Sequence, residues 1–360
     1  MSKKHIVHLL NDFALGGVTK NLELFDNPNF SDQFSSQTLE VDPNKSIAPN
    51  IEADIICVHF PPSWKVLPFL YSLRARNPRV RIVQIEHSYN REWELINVAK
   101  RARFRAMLRL SLAIFDKIIC VSNAQAEWLA EASGIKKSAI WVIYPWSNLD
   151  GLEQIKLPSF SKSKSIIIGA YGRFSDAKGF ANLIHAMKSV RADRNIELVI
   201  GGFGEQESDL RRIAGISKNI HFYGRVDDVR HFMRGCDVVA IPSRFESFGL
   251  VASEAKMAGR PVLVSNVGGL PEQVRGSGMT INCSDQAAII LAIENLRNMP
   301  LVQMSVNARE DAIQMDAQRL PNWLDFFHQL VTRRSTDQDG ASNWLRRNPT
   351  PIRMSAGQYK

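Results

Sequence analysis

Short apolar runs alternate with longer stretches of helical period along almost the whole chain. In the first half the runs are HIVHLL (5–10), DIICVHF (54–60), RIVQIEH (81–87), KIICVSN (117–123) and IWVIY (140–144). In the second they are SIIIGAYG (165–172), IELVIGG (196–202), IHFYG (220–224), DVVAIPS (237–243) and PVLVSN (261–266). Their apolarity is continuous rather than alternating, the pattern of strands buried on both faces; with helices between them it predicts parallel sheets. The rhythm lapses at LDGLEQIKLPSFSKSKS (149–165), which predicts a linker. The class is therefore α/β, with doubly wound domains over 1–155 and 156–332. A helix is expected at 319–332, followed by a polar tail, 333–360, whose composition is that of poorly ordered termini. A length of 360 residues agrees with two cores rather than one. Ligands of such folds lie beyond the carboxyl ends of the strands, and two domains put the main site in the cleft between them.

Composition narrows the partners. Hydrophobic residues make up 45% and charged residues 22%, as in soluble globular proteins, and no apolar run approaches the roughly 18 residues of a membrane span. The opening MSKKHIVHLLNDF reads as a first strand, not a signal peptide. Cys57, Cys120, Cys236 and Cys283 sit in or beside strand-like runs without CxxC spacing or a nearby histidine. They read as buried thiols of a cytoplasmic protein, not as metal ligands. A net charge of +9 favours an anionic partner. Zinc-finger spacing and basic–aromatic interleaving are absent from the sequence, so phosphorylated substrate or acidic lipid is expected and nucleic acid is not.

Three strand ends carry candidate chemistry. FALGGVTKN places Gly16 and Gly17 at a helix start, where backbone amides can approach an anion; a tight turn is the alternative. YGRFSDAKGF sets Arg173 and Lys178 around one turn, a fork of donors and a mobile point charge suited to a diphosphate, or else a solvated basic turn. RFESFGLVASEAKMAGRPV puts Glu246 on a strand-end loop and Glu254 in the second turn of a helix that Gly249 opens and Gly259 closes. A carboxylate accepting from two neighbouring hydroxyls grips a ribose diol or a sugar ring. Taken singly, each glutamate is also what a solvated helix start favours.

Together and in this order, GGV at 16–18, G-R-x4-K-G at 172–179 and E-x7-E at 246–254 resemble the retaining GT-B glycosyltransferases of family 4, the glycosyl transferases group 1. The resemblance is strongest over about 165–275. It implies two Rossmann-like domains facing across a cleft, the first on the acceptor side and the second holding a nucleoside diphosphate sugar. It implies that Gly16 and Gly17 approach the donor phosphates and that Arg173 and Lys178 hold the diphosphate. Glu246 would contact the transferred sugar, with adjoining contacts from Phe248, Gly249 and Leu250, and Glu254 the ribose. Gly224, Arg225 and Val226 fall where the family holds the base, and His87 where it places a histidine near the reaction centre. The implied reaction is sugar transfer with retention of configuration. Positive charge on the protein serves the leaving diphosphate, so no metal or other cofactor is expected, and DQD at 337–339 is discounted as a D-x-D site. A GT-B sugar-nucleotide epimerase and a noncatalytic sugar-binding protein are the alternatives. The chain departs from the family at YPWSNLD (144–150), where many members carry Asn-Gly-Val-Asp.

One feature points to the acceptor. VAKRARFRAMLRLSLAIF (98–115) has no acid between Glu94 and Asp116, and Arg101, Arg105 and Arg109 recur at helical spacing as an unpaired stripe. Such a helix suits the anionic inner face of the cell membrane, and with it a lipid-linked acceptor in polysaccharide or glycolipid synthesis; a solvated face is the alternative.

Overall fold

A computed structural model describes residues 3–12, 21–161 and 163–337, with side chains through Thr332. Gly16, Gly17 and the tail beyond Asp337 lie outside the described residues. The first half forms β1 (Lys4–Leu10), β2 (Phe34–Glu40), β3 (Ile55–Val58), α1 (Leu67–Arg76), β4 (Arg81–Glu86), α2 (Arg91–Asn97), α3 (Arg101–Leu112), β5 (Lys117–Cys120), α4 (Asn123–Ser133) and β6 (Ile140–Val142). The second forms β7 (Ile166–Arg173), α5 (Phe180–Ser189), β8 (Ile196–Phe203), α6 (Glu207–Ala214), β9 (Ile220–Gly224), α7 (Val229–Arg234) and β10 (Val238–Ile241). It continues through α8 (Leu250–Met257), β11 (Val262–Ser265), β12 (Gly278–Ile281), α9 (Gln286–Glu294) and α10 (Leu301–Asp337).

The strands build two six-stranded sheets, ordered β2-β1-β3-β4-β5-β6 and β12-β11-β10-β7-β8-β9, with every described pairing parallel. The second has the order of a dinucleotide-binding sheet, its direction of winding reversing between β7 and β10; the first reverses between β1 and β3. Those two crossover points place the site. Each apolar run is a strand, and β3, β10 and β11 are buried at every position. The sequence pattern misses β2 and β12. Both are edge strands, largely half-exposed, and their polar sequences FSSQTLE and GMTI follow from that position. All four cysteines are buried and free, and burial pushes each thiol up.

The last helix is longer than the expected 319–332 and contains Pro321. Before the proline, Ala312 joins the second core; after it, Trp323, Phe326, Phe327 and Leu330 join Phe25, Phe30 and Phe34 in the first. Residues 323–330 thus complete the first domain's core, although the sequence pattern groups them with the second. Proline removes an amide and crowds the preceding turn, a natural place for one helix to change partners. At the other junction, Leu149, Leu152 and Ile155 of the expected linker are buried in the second core. The glycine missing from YPWSNLD has a counterpart one position later: Gly151 adopts φ +76°, against the Arg230 side chain.

Candidate active site

At the crossover of the second sheet, β7 ends in Tyr171, Gly172 and Arg173. A 3-10 turn, Asp176–Lys178, follows and ends at Gly179 with φ +65°. A Cβ on Gly179 would lie 2.1 Å from the Pro242 carbonyl oxygen, so only glycine lets this turn lie against the end of β10. That approach carries Lys178 across to the next loop, where its Nζ lies 2.5 Å from Glu246 Oε2. The Lys178 stem also lies beside Gly172, the neighbour of the exposed Arg173. Gly249, at φ +93°, opens α8, and the Glu246 stem lies over it.

Glu254 has different company. It is buried in α8 and accepts a hydrogen bond from the Tyr171 hydroxyl. Burial, and then the Glu254 charge, push that hydroxyl well above its usual range, so Tyr171 stays a neutral donor. Behind the helix, Arg319 of α10 donates to Ser253 Oγ at 2.8 Å, and its charge is opposed by Asp316 and Glu254. Glu254 forms part of the wall of a cavity of about 460 Å³, shared with Asn148, Asp150, Asp227, Val229 and Arg230; Glu246 and Lys178 are not among the lining residues. The two glutamates therefore serve different places, one at the loop and one at the cavity.

Near that cavity the β9 end is open: Gly224 has φ +87° and no atom within 4 Å of its Cβ position. Arg225 stacks over Phe203 at 4.9 Å and donates to Asp227 at 2.8 Å, while half-buried Val226 packs against Gly201. Phe248 is buried against Tyr144, their rings 5.0 Å apart, and Leu250 is half-buried.

The first domain faces this loop directly. Asn90 Nδ2 donates to Ser247 Oγ at 3.3 Å, beside Glu246. Glu272 accepts from the amides of Asn123 and Ala124 at 3.0 and 2.7 Å, capping α4 of the other domain, and from Tyr144 at 3.1 Å. His87 follows β4, its Nε2 3.2 Å from His59 Nδ1, and burial lowers its pKa to about 4, so the ring is neutral near pH 7. Sequence reasoning misses Tyr171, Asn90, Ser247, Glu272 and Arg319. Of these Tyr171 and Ser247 carry a signal, since Tyr171 adjoins Gly172 and Arg173 and Ser247 lies between Glu246 and Phe248.

The basic helix departs from expectation. Arg105 donates from Nε and Nη2 to Glu94 at 2.7 and 3.0 Å, and Trp128 Nε1 donates to the same carboxylate at 2.8 Å. Burial raises the Glu94 pKa, but these bonds and the charges of Arg105 and Arg101 outweigh it and hold the group below the usual range. Arg109 donates to the Ser133 carbonyl at 3.1 Å and lies against Gly134. The stripe is thus not unpaired: the turn before α3 returns Glu94 to meet Arg105, and Arg109 reaches the end of α4. Lys100, Arg101 and Arg103 are exposed, as is Arg109 apart from its bond to Ser133, with Arg103 over the Trp64 ring at 5.6 Å.

Comparison with known proteins gives the family. The family described as glycosyl transferases group 1 matches residues 153–315, and glycosyltransferase family 4 matches residues 30–150. The chain belongs to this glycosyltransferase family. An uncharacterised glycosyltransferase of Methanocaldococcus jannaschii is 34% identical to this family member over 187 residues, 47% of each chain. The chain thus spans about half the length of this relative. Sucrose-phosphate synthase from Thermosynechococcus elongatus has the same GT-B fold, with a TM-score of 0.73 and 19% identity over 92% of this chain and 100% of that one. Anabaena HepE, solved with UDP and glucose, gives a TM-score of 0.69 and 16% identity over 94% of this chain and 100% of its own.

Proposed function

We propose that this glycosyltransferase moves a sugar from a UDP- or GDP-linked donor to a glycan or lipid-linked acceptor with retention of configuration. The observation that carries the reading is the meeting of Lys178 with Glu246 at one crossover point, where β7 also ends in Tyr171, the partner of Glu254. A nucleoside diphosphate sugar has a ribose diol, two phosphates and a sugar ring in sequence. Glu254 would take the diol, Arg173 and Lys178 the diphosphate, and Glu246 the sugar hydroxyls. Leaving diphosphate accumulates negative charge, which fixed cations stabilise without reorganisation, each such donor contributing about 3 kcal/mol. The complex of HepE with UDP and glucose supports a nucleotide-sugar donor. Glu254 is committed to Tyr171 and Glu246 to Lys178, so neither is offered as a nucleophile; departure and attack on one face of the sugar account for retention.

A membrane-borne acceptor has its own support. Trp64 is exposed under Arg103, and Leu95 and Ile96 are exposed in α2, which precedes the exposed cations Lys100 and Arg101 in the chain. Apolar side chains among cations suit an anionic lipid surface. Among the described residues no helix is long and apolar enough to cross a membrane.

The test is incubation with UDP- and GDP-linked hexoses, followed by proton NMR of the sugar first released or transferred. Retention at the anomeric carbon is expected. An epimerised nucleotide sugar would establish the epimerase reading. Failure of every nucleoside diphosphate to raise the melting temperature would leave no donor site.

A further inference from the structure

The crossover point of the first sheet carries three histidines, of which only His87 is expected near the reaction centre. His8 lies in β1, His59 follows β3 and His87 follows β4, on three adjacent strands. His8 Nδ1 is 2.9 Å from His59 Nε2, and His59 Nδ1 is 3.2 Å from His87 Nε2. His8 and His59 are buried, and His87 keeps partial exposure. Burial holds all three well below the ordinary histidine pKa, so the chain consists of neutral rings near pH 7.

A neutral imidazole has one N–H and one lone pair. His59 has both nitrogens against other imidazoles, so it donates to one neighbour and accepts from the other. The protons of the whole chain must therefore point the same way, and only two arrangements exist. In one, His8 and His59 donate from Nδ1, and His87 is left with Nδ1–H. In the other, His87 and His59 donate from Nε2, and His8 ends in a buried N–H. His8 Nε2 is buried without a hydrogen-bond partner among the described residues, and its ring packs on Phe25 at 4.0 Å. An orphaned buried N–H is rarer than an orphaned acceptor. The first arrangement is the one that avoids it.

We propose that His8 and His59 are positioning residues that lock His87 as the Nδ1–H tautomer, so that it meets the transferred sugar as a neutral hydrogen-bond donor rather than as a base. The tautomer of a histidine is set by what its second nitrogen touches, and here that second contact is another imidazole. The role in transfer rests on the proposed function; the tautomer does not.

Two-bond nitrogen–proton correlation spectra of the full chain labelled with 15N-histidine, taken without donor at pH 7.5, separate the two. Nδ1–H is expected for all three rings. His59→Leu should release His87 to a mixture of tautomers, while His59→Asn, whose amide can donate in place of Nδ1, should restore the Nδ1–H form. His8→Leu and His8→Asn repeat the contrast at the far end, in case a position-59 variant does not fold. In the transfer assay, His59→Leu should lower kcat roughly 10- to 100-fold with donor KM little changed, and His59→Asn should recover most of it. An Nε2–H or charged His87 in the wild-type spectrum, or an unaltered His87 in both leucine variants, would overturn the proposal. Absence of transfer with any nucleotide sugar would instead overturn the function and leave the spectra to decide the tautomer.

Discussion

Lys178 Nζ lies 2.5 Å from Glu246 Oε2, although 68 positions separate the two residues. Their side chains keep 29% and 17% exposure, and pairs this open contribute at most about 1 kcal/mol to stability. The pair is thus better understood through the donor than through the fold: the cation expected to meet the diphosphate is neutralised by the carboxylate expected to hold the sugar. On the proposed function, donor binding would exchange one anionic partner of Lys178 for another.

This exchange predicts opposite signs in two assays. Lys178→Ala should lower turnover by roughly 10² or more while the protein stays folded. Glu246→Gln should also lower transfer, yet bind free nucleoside diphosphate as tightly as the wild type or more tightly, because Lys178 is released. Calorimetry with UDP and GDP reads this directly. Weaker diphosphate binding by Glu246→Gln would show that the pair does not compete with the ligand.

Glu254 predicts a different pattern because its surroundings are closed. Arg319, 2% exposed, has Glu254 and Asp316 as its opposing charges, and Tyr171 donates to Glu254. Glu254→Ala leaves a buried guanidinium with less compensation and should cost about 2 kcal/mol of stability as well as nucleotide affinity. Glu254→Gln removes the same charge but keeps an acceptor for Tyr171, so it should be destabilised less than Glu254→Ala while losing ribose binding as fully. Urea midpoints and calorimetry read both effects; wild-type stability of both variants would show that Arg319 does not depend on this carboxylate.

How much of this is legible in the sequence follows from sequence distance. Strands buried on both faces announce themselves by continuous apolarity, so β3, β10 and β11 are readable, whereas edge strands β2 and β12 have no such signature. Lys178, Glu246 and Glu254 stand out by local spacing, but their pairings do not. Tyr171 and Glu254 are 83 residues apart, and Asn90 and Ser247 are 157. Such contacts depend on how two sheets wind and face each other, which no local window contains. Arg105 shows the converse: its helical spacing on α3 is plain in the sequence, and its partner Glu94, only 11 residues away, is hidden by a turn.

The buried histidines predict acid sensitivity. His8 and His87 have their pKa values lowered by burial to about 3 and about 4, and His59 is lowered in the same direction, against 6.5 when unfolded. The unfolded chain therefore binds protons that the folded chain refuses, and stability falls as pH drops from about 6.5 toward 4. Glu86 acts oppositely: burial raises it from 4.5 to about 7, so its contribution is fullest below 4.5 and is lost as pH rises through 7. Each group contributes a slope of up to about 1.4 kcal/mol per pH unit, so three histidines outweigh one glutamate. The urea midpoint should fall between pH 7 and pH 5, and Glu86→Gln should stabilise at pH 8 while giving no advantage at pH 4. A midpoint that rises on acidification would show that the histidines are not held neutral.

The corrected basic surface separates fold from membrane. Arg105 holds Glu94, whose side chain is 2% exposed, so Arg105→Gln should lower stability by about 2 kcal/mol, Arg105 itself being 35% exposed and partly screened. It should leave lipid binding nearly unchanged. Lys100, Arg101 and Arg103 are exposed, Arg103 over the exposed Trp64, and each cation near an anionic bilayer contributes about 1 kcal/mol. Replacing all three by Gln should therefore weaken binding to phosphatidylserine-containing vesicles by roughly 10², with an unchanged melting temperature. The wild type should bind less as salt rises, because attraction between exposed charges is screened within about 10 Å at 0.1 M. Cosedimentation at low salt reads all of these. If the wild type stays in the supernatant, or the triple variant pellets as well as it does, the surface faces water and the acceptor is a soluble one.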